Sequence, residues 1–259
     1  MHNKHKEYGV EPLGKLPEDM KFHFNNKYPY NKKCFSELNK DSAYWIGFWS
    51  ADGYILKNRL HLVLSEKDID VLHKWKGFIC SPDRPIRKFD NHGYPAAEVR
   101  IRSWELVKSI EKYKLHINKP DRGRLHIDLL QESIRKHFVR GYFDGDGCFT
   151  VDKRGYLFAE IMGYPAVMQD IKNILVTEGI VPTGKKLVSY GKLKRIRLNA
   201  RESFSFGEWI YTGYPDIFYL SRKRNIYNAH VKRLNEATVC IPRENRKEGI
   251  RLSIYKQKR

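Results

Sequence analysis

The chain has 259 residues, a formal charge of +19 and a pI near 9.7, enough length for one large domain or two ordinary ones, each with its own core. So large a positive charge destabilises a fold by self-repulsion until a polyanion answers it, and the basic residues alternate with Tyr, Phe and Trp along the whole sequence, which points to folded surfaces for nucleic acid rather than a disordered arm. The widely spaced Cys34, Cys80, Cys148 and Cys240 form no C-x-x-C pair, so neither a zinc ribbon nor a disulfide framework is indicated; without an apolar leader or a spanning apolar run, a soluble intracellular protein of cytoplasm, nucleoid or organelle is expected, with no membrane partner.

Residues 1–40 are rich in Asn, Lys and Tyr and read as an N-terminal arm or extension. After them the periodicity predicts a helix from Asp41 to Ala51, N-capped by Asp41 or Ser42, a strand near Tyr54–Ser65 and a helix from Glu66 to Phe78. Strands near Ile86–Asp90 and Ala96–Arg102 and a helix from Trp104 to Tyr113 follow. Pro, Asp and Gly in "HINKPDRGRLHI" then interrupt the pattern. The same order returns with a helix from Asp128 to Gly145, opened by Asp128 and Gln131 in the form of a capping box. Strands near Cys148–Asp152 and Tyr156–Met162, a helix from Pro165 to Glu178, strands near Lys186–Ser189 and Lys194–Asn199, and a helix beginning at Ser203 complete it. The fold class is therefore α+β, two αββαββα repeats at 41–125 and 126–234, with a basic tail at 235–259.

Each repeat opens on a helix that ends in Asp-Gly, at Asp52 and Asp146. Gly47 with Ala51, and Gly141 with Gly145, stand four apart, so each helix has one face without side-chain bulk and the two can touch backbone to backbone. A carboxylate at a helix C-terminus faces the negative end of the macrodipole at a cost of roughly 0.3–1 kcal/mol. Two such helices side by side would add like-charge repulsion, which a Mg²⁺ ion or pair with water and substrate phosphate would relieve. Asp-Gly is also a common turn dipeptide, a reading that weakens when matched helices carry it twice. "DGDGCFTVD" does not fit a calcium loop, having Cys148 and Phe149 where a ligand and a glycine are needed.

"WIGFWSADG" and "VRGYFDGDG" resemble the nine-residue motif of the LAGLIDADG homing endonucleases in their single-chain, two-repeat form, with Ser50 replacing the usual acidic sixth position of the first copy. The resemblance covers about Asp41 to Leu234. It implies motif helices along a pseudo-dyad and two four-stranded antiparallel sheets forming a saddle on DNA. It implies that Asp52 and Asp146 are catalytic and bind divalent metal, Mg²⁺ or Mn²⁺, beside the two scissile phosphates. The intein-type branch of the family also has a lysine upstream of the second motif and another in a late Arg-Lys pair; Lys119 in "NKP" and Lys223 in "YLSRKRNIY" match these and would act on water or on transition-state charge. Lysines in so basic a chain are most often solvated surface charges. "YKQKR" lacks the His-Asn pair of intein cleavage, so a free-standing or intron-encoded enzyme is expected.

Strand residues two apart share a face. Arg100 with Arg102, and Arg195 with Arg197, are expected to project as pairs into a major groove, where Arg bonds guanine O6 and N7, with Lys192 and Lys194 extending the second row. Lys57, Arg59, Arg87, Lys153 and Arg154 fall at strand ends or turns and are assigned mostly to phosphate. Because the repeats differ, the double-stranded DNA target should be long and not palindromic, and one chain should act as a monomer. The alternative is the same fold as an RNA-binding intron maturase or a non-cleaving DNA-binding regulator.

Overall fold

In a computed structural model of the chain, residues 28–113, 130–213 and 218–239 are described. Two compact units divide between Gly145 and Asp146.

In the first unit, α1 (Lys40–Asp52) starts one residue before the predicted helix, because Asn39 is its N-cap rather than Asp41 or Ser42. The Asn39 side chain accepts from the amides of Asp41 and Ser42 while Ser42 Oγ accepts from the Asn39 amide, a reciprocal arrangement that satisfies otherwise orphaned donors. The helix is buried from Ser42 to Trp49. It ends at Gly53, where a Cβ would meet the Trp49 ring at 2.0 Å, and Trp49 Nε1 donates to the His61 carbonyl at 3.0 Å, fastening the helix end to the sheet.

The single strand expected at 54–65 is a hairpin of β1 (Gly53–Leu56) and β2 (Arg59–Ser65). Its turn is at Lys57 and Asn58, with Lys57 at φ 57°, a left-handed conformation that no Asn-Gly or Asp-Gly signal announces. The helix expected from Glu66 begins as a 3₁₀ turn, Glu66–Asp68, and becomes α2 at Ile69–Ile79. Val71, Leu72, Trp75 and Ile79 are its buried stripe. Strands β3 (Arg87–Asn91) and β4 (Tyr94–Arg102) and helix α3 (Trp104–Glu111), capped by Ser103, complete the repeat. The antiparallel sheet runs β1-β2-β4-β3. Residues 28–39 are not an arm on the surface: Phe35 is buried against Trp75 and Phe78, Tyr30 pairs with Cys80 in an isolated bridge, and Tyr113 Oη donates to the Phe35 carbonyl.

Helix α4 (Glu132–Asp146) opens the second repeat in sequence, yet its residues through Gly145 pack with the first unit. It starts at Glu132, so Gln131 precedes the first turn and cannot take the capping-box place given to it; Asp128 lies outside the described residues.

The second unit repeats the order with β5 (Gly147–Val151), β6 (Leu157–Gly163), α5 (Pro165–Thr177), β7 (Val188–Tyr190), β8 (Leu193–Leu198) and α6 (Ala200–Tyr211), in a sheet ordered β5-β6-β8-β7. Pro165 sits in the first turn of α5, where its missing N–H costs nothing. Asn199 and Glu202 form a capping box at α6, three residues ahead of the start expected at Ser203. A seventh helix absent from the expected order, α7 (Ser221–Val239), packs on β5 and α6. Tyr227 lies among Phe149, Phe204 and Tyr211, and Gly207 leaves room for its ring, which a Cβ would meet at 2.2 Å. No helix among the described residues is long and apolar enough to cross a membrane.

Candidate functional site

The two motif helices meet where their sequences lack side chains. A Cβ on Gly47 would stand 2.1 Å from the Phe138 carbonyl oxygen, and one on Gly141 would stand 1.9 Å from the Tyr44 carbonyl oxygen. At Gly145 it would meet Ala51 Cβ at 2.4 Å and Asp52 Oδ2 at 3.1 Å. Small residues therefore let α1 and α4 touch backbone to backbone, as their spacing predicts. The contact continues to the end of α1, where the Asp52 carboxylate lies against Gly145, the residue next to Asp146 in the chain.

Asp52 is half-buried and Asp146 exposed. Neither helix carries a basic residue in its last turn, so neither supplies its own charge to offset the carboxylate at its negative end. Hard oxygen donors of this kind fit a hydrated Mg²⁺, which keeps several waters and takes few protein ligands. Among the described residues no group of three or more His, Cys, Asp or Glu could hold a metal ion, so any cation here would rest on few protein ligands.

A buried polar set crosses the same helix contact. Tyr44 Oη donates to Asp144 Oδ2 at 3.0 Å, the Arg140 guanidinium lies 5.2 Å from the centre of the Tyr44 ring, and Arg140 Nη1 donates to His137 Nδ1 at 2.8 Å. Burial and then the adjacent Arg140 charge push His137 down to about 3, so the ring is the neutral acceptor that Arg140 requires. Asp144 holds the sixth motif position of the second copy, and its buried role is toward Tyr44. Ser50, the replacement in the first copy, turns its hydroxyl back onto the Ile46 carbonyl at 2.7 Å.

Each sheet has a face away from its helices on which arginines stand. In the first, Tyr54, His61 and Arg100 are register partners, and Leu56, Arg59 and Arg102 form the next row. In the second, Cys148, Glu160 and Arg197 occupy the corresponding row.

No protein-family model matches the sequence. Of curated proteins, the replication factor C small subunit of Methanocaldococcus jannaschii is 25% identical over 114 residues, and the DNA-directed RNA polymerase subunit Rpo1C of that organism is 27% identical over 120 residues. These matches take in 43% and 46% of this chain but span only 6% and 14% of those proteins. Among solved structures, a lysine-to-alanine variant of I-SmaMI, a LAGLIDADG homing endonuclease, superposes with a TM-score of 0.52 at 14% identity, covering 83% of this chain and 98% of that one. I-SmaMI bound to an uncleaved DNA target in the presence of calcium ions gives 0.50 at 14% identity with the same coverage. The chain has the two-repeat LAGLIDADG fold.

The described residues give the positions of most of the basic residues named from the sequence. Arg100 and Arg102 alternate with buried Val99 and Ile101 and share the outer face of β4. Arg59 opens β2 opposite Arg102, Arg87 opens β3 opposite Glu98, and Lys57 is exposed in the β1–β2 turn. Lys153 and Arg154 lie in the β5–β6 turn, which Asp152 organises by accepting the amides of Arg154 and Tyr156. The Tyr156 amide and then the Arg154 side chain hold the Asp152 carboxyl below its ordinary range.

Arg195 and Arg197 share a face of β8, but Lys192 and Lys194 do not extend their row. Lys194 has the parity of buried Ile196 and Leu198 and so points to the opposite face, where its Nζ donates to Ser189 at 2.7 Å, and Lys192 stands in the β7–β8 turn. Lys119 lies outside the described residues. Lys223 is on α7 and 1% exposed, on the same helix face as buried Tyr227 and His230. Composition and spacing gave no notice of Glu98 and Glu160, which share the arginine faces. Their signal is their place two residues before Arg100 on one strand and opposite Arg197 across two.

Proposed function

We propose that this chain is a site-specific double-strand DNA endonuclease that hydrolyses phosphodiester bonds with a divalent metal at a long asymmetric target, one chain acting alone through its two repeats. The observation that carries this reading is the backbone contact of α1 and α4, which runs down to the Asp52 carboxylate lying against Gly145, with a second Asp-Gly ending immediately after. The DNA-bound state of I-SmaMI, and the calcium ions in that structure, support duplex DNA as the partner and a hard divalent cation as the cofactor.

In this reading Asp52 and Asp146 hold Mg²⁺ or Mn²⁺ beside the scissile phosphates. The bound metal would lower the pKa of an attacking water and offset charge gathering on the phosphate. The residues of the chain supply the rest. The small-residue helix contact fixes the end of α1 that carries the Asp52 carboxylate. The arginine faces of the sheets and the basic turns at Lys57 and Lys153 bind and orient the duplex. Lys223 and Lys119 are assigned to positioning water or stabilising transition-state charge.

The test is incubation with a randomised duplex library and Mg²⁺, followed by sequencing of cut ends. Wild type should yield a defined double-strand break. Asp52→Asn and Asp146→Asn should each abolish cutting while retaining binding. Full cleavage by either variant sinks the assignment.

A further inference from the structure

A surface that must meet polyphosphate has reason to avoid carboxylates, yet each sheet keeps one among its arginines. Glu98 on β4 lies on the same face as Arg100, its side chain only 1% exposed. Its Oε1 accepts from His61 Nδ1 at 2.6 Å, its Oε2 stands 2.7 Å from Arg100 Nε, and Arg87 Nη1 is 3.8 Å away. His61 is in turn stacked on Tyr54, with ring centres 4.5 Å apart and planes at 15°. In the second sheet Arg197 Nε donates to Glu160 Oε2, and Arg195 Nη1 is 3.8 Å from Glu160 Oε1.

Two features set this apart from general charge balancing. The couple is made through the inner Nε of each arginine, a hydrogen bond at Arg197 and an ion pair at Arg100, so the contact itself does not occupy the terminal nitrogens. It also arises from different placements: Glu98 shares a strand with Arg100, whereas Glu160 is the cross-strand partner of Arg197 and His61 takes the corresponding position in the first sheet. The same arginine is thus held by a carboxylate in both repeats although the carboxylate comes from a different strand.

Resting on the proposed DNA function, we infer that Glu98 and Glu160 are positioning residues for base recognition. Each grips one arginine so that Arg100 and Arg197 present a pre-aimed fork to a guanine edge, one in each half of the target. Being buried, Glu98 cannot touch a base and acts through Arg100. A long arginine searching freely would lose more side-chain entropy on binding than one already fixed, and a good bidentate contact discriminates against a wrong base by about tenfold or more.

The experiment selects preferred duplexes from a randomised library by binding without cleavage, using the full chain in Ca²⁺. Wild type is then compared with Glu98→Gln, Glu160→Gln, Arg100→Ala, Arg100→Lys and the Glu98→Gln/Arg100→Ala double variant. Glu98→Gln should flatten preference at one guanine position about tenfold. Arg100→Ala should flatten the same position, Arg100→Lys should fail to restore it, and the double variant should be no worse than Arg100→Ala. Glu160→Gln, at a less buried carboxylate, should do the same at a different position in the other half-site, and decides the matter if Glu98→Gln does not fold. If both glutamine variants keep every base preference, or only tighten binding to all duplexes alike, the carboxylates merely balance charge and the inference falls. If wild type itself shows no preference, the endonuclease reading falls first.

Discussion

Replacing Gly141 by Ala tests the helix contact on which the proposed site depends. The added Cβ would lie 1.9 Å from the Tyr44 carbonyl oxygen and 2.8 Å from the Phe48 amide nitrogen, where ordinary heavy-atom contact is at about 3.5–4.0 Å. Both obstacles are backbone within α1, so no side chain can turn aside and the helices must part by more than about 1 Å. Overpacking of this kind costs about 1–3 kcal/mol, and parted helices lose dispersion along the seam as well. The opposing gain, Ala over Gly in a helix, is about 1 kcal/mol. The clash should win, with a net loss of about 2 kcal/mol read as a lower urea midpoint by tryptophan fluorescence. Gly47→Ala, at 2.1 Å from the Phe138 oxygen, should behave alike. The pair should be less than additive, because one separation accommodates both methyl groups. Gly184→Ala, with nothing within 4 Å, is the control and should stay within about 0.5 kcal/mol of wild type. A Gly141→Ala chain as stable as wild type would refute the close-contact argument.

The buried neutral His137 makes the protein acid-sensitive: its folded pKa, about 3, lies below the unfolded value of about 6.5, so its contribution is present above that value and lost as pH falls toward 3. It should account for about 2 kcal/mol of lost stability between pH 7 and pH 5, and His137→Gln should flatten that slope in urea titrations. An unchanged slope would place the acid sensitivity elsewhere. Asn39→Ala and Asn199→Ala each remove a capping box and should each lower stability by about 1 kcal/mol, measured by chemical denaturation. Lys153→Ala should reduce the steepness of DNA affinity against salt by about one phosphate contact without altering base preference; a changed preference would show that it reads bases.

The features legible in the sequence were those that a single helix or strand dictates. Gly47, Ala51, Gly141 and Gly145 announce a close helix contact because spacing alone decides which face loses its bulk. The alternation of Arg100 and Arg102 with Val99 and Ile101 gives their face in the same way. What was hidden depended on partners elsewhere. Lys57 adopts a left-handed turn that its residue type does not advertise, so two strands looked like one. The two-residue period of β8 puts Lys194 on the side of Ile196, away from Arg195 and Arg197. Helix α7 buries Lys223, Tyr227 and His230 along one stripe, a pattern that apolar periodicity does not pick up. Glu98 and Glu160 resemble solvated charges until strand register brings arginines to them.

The polar set at the helix seam has a consequence for self-association. Aligned on their Asp-Gly ends, α1 has Ala43, Ile46 and Ser50 where α4 has His137, Arg140 and Asp144. A dimer formed from two first halves would leave each Tyr44 hydroxyl without its Asp144 acceptor. One formed from two second halves would bring together two buried arginines with no tyrosine to lie over. Each motif helix is chemically mated to the other, so replacing one of them would require exchanging these seam residues as a set.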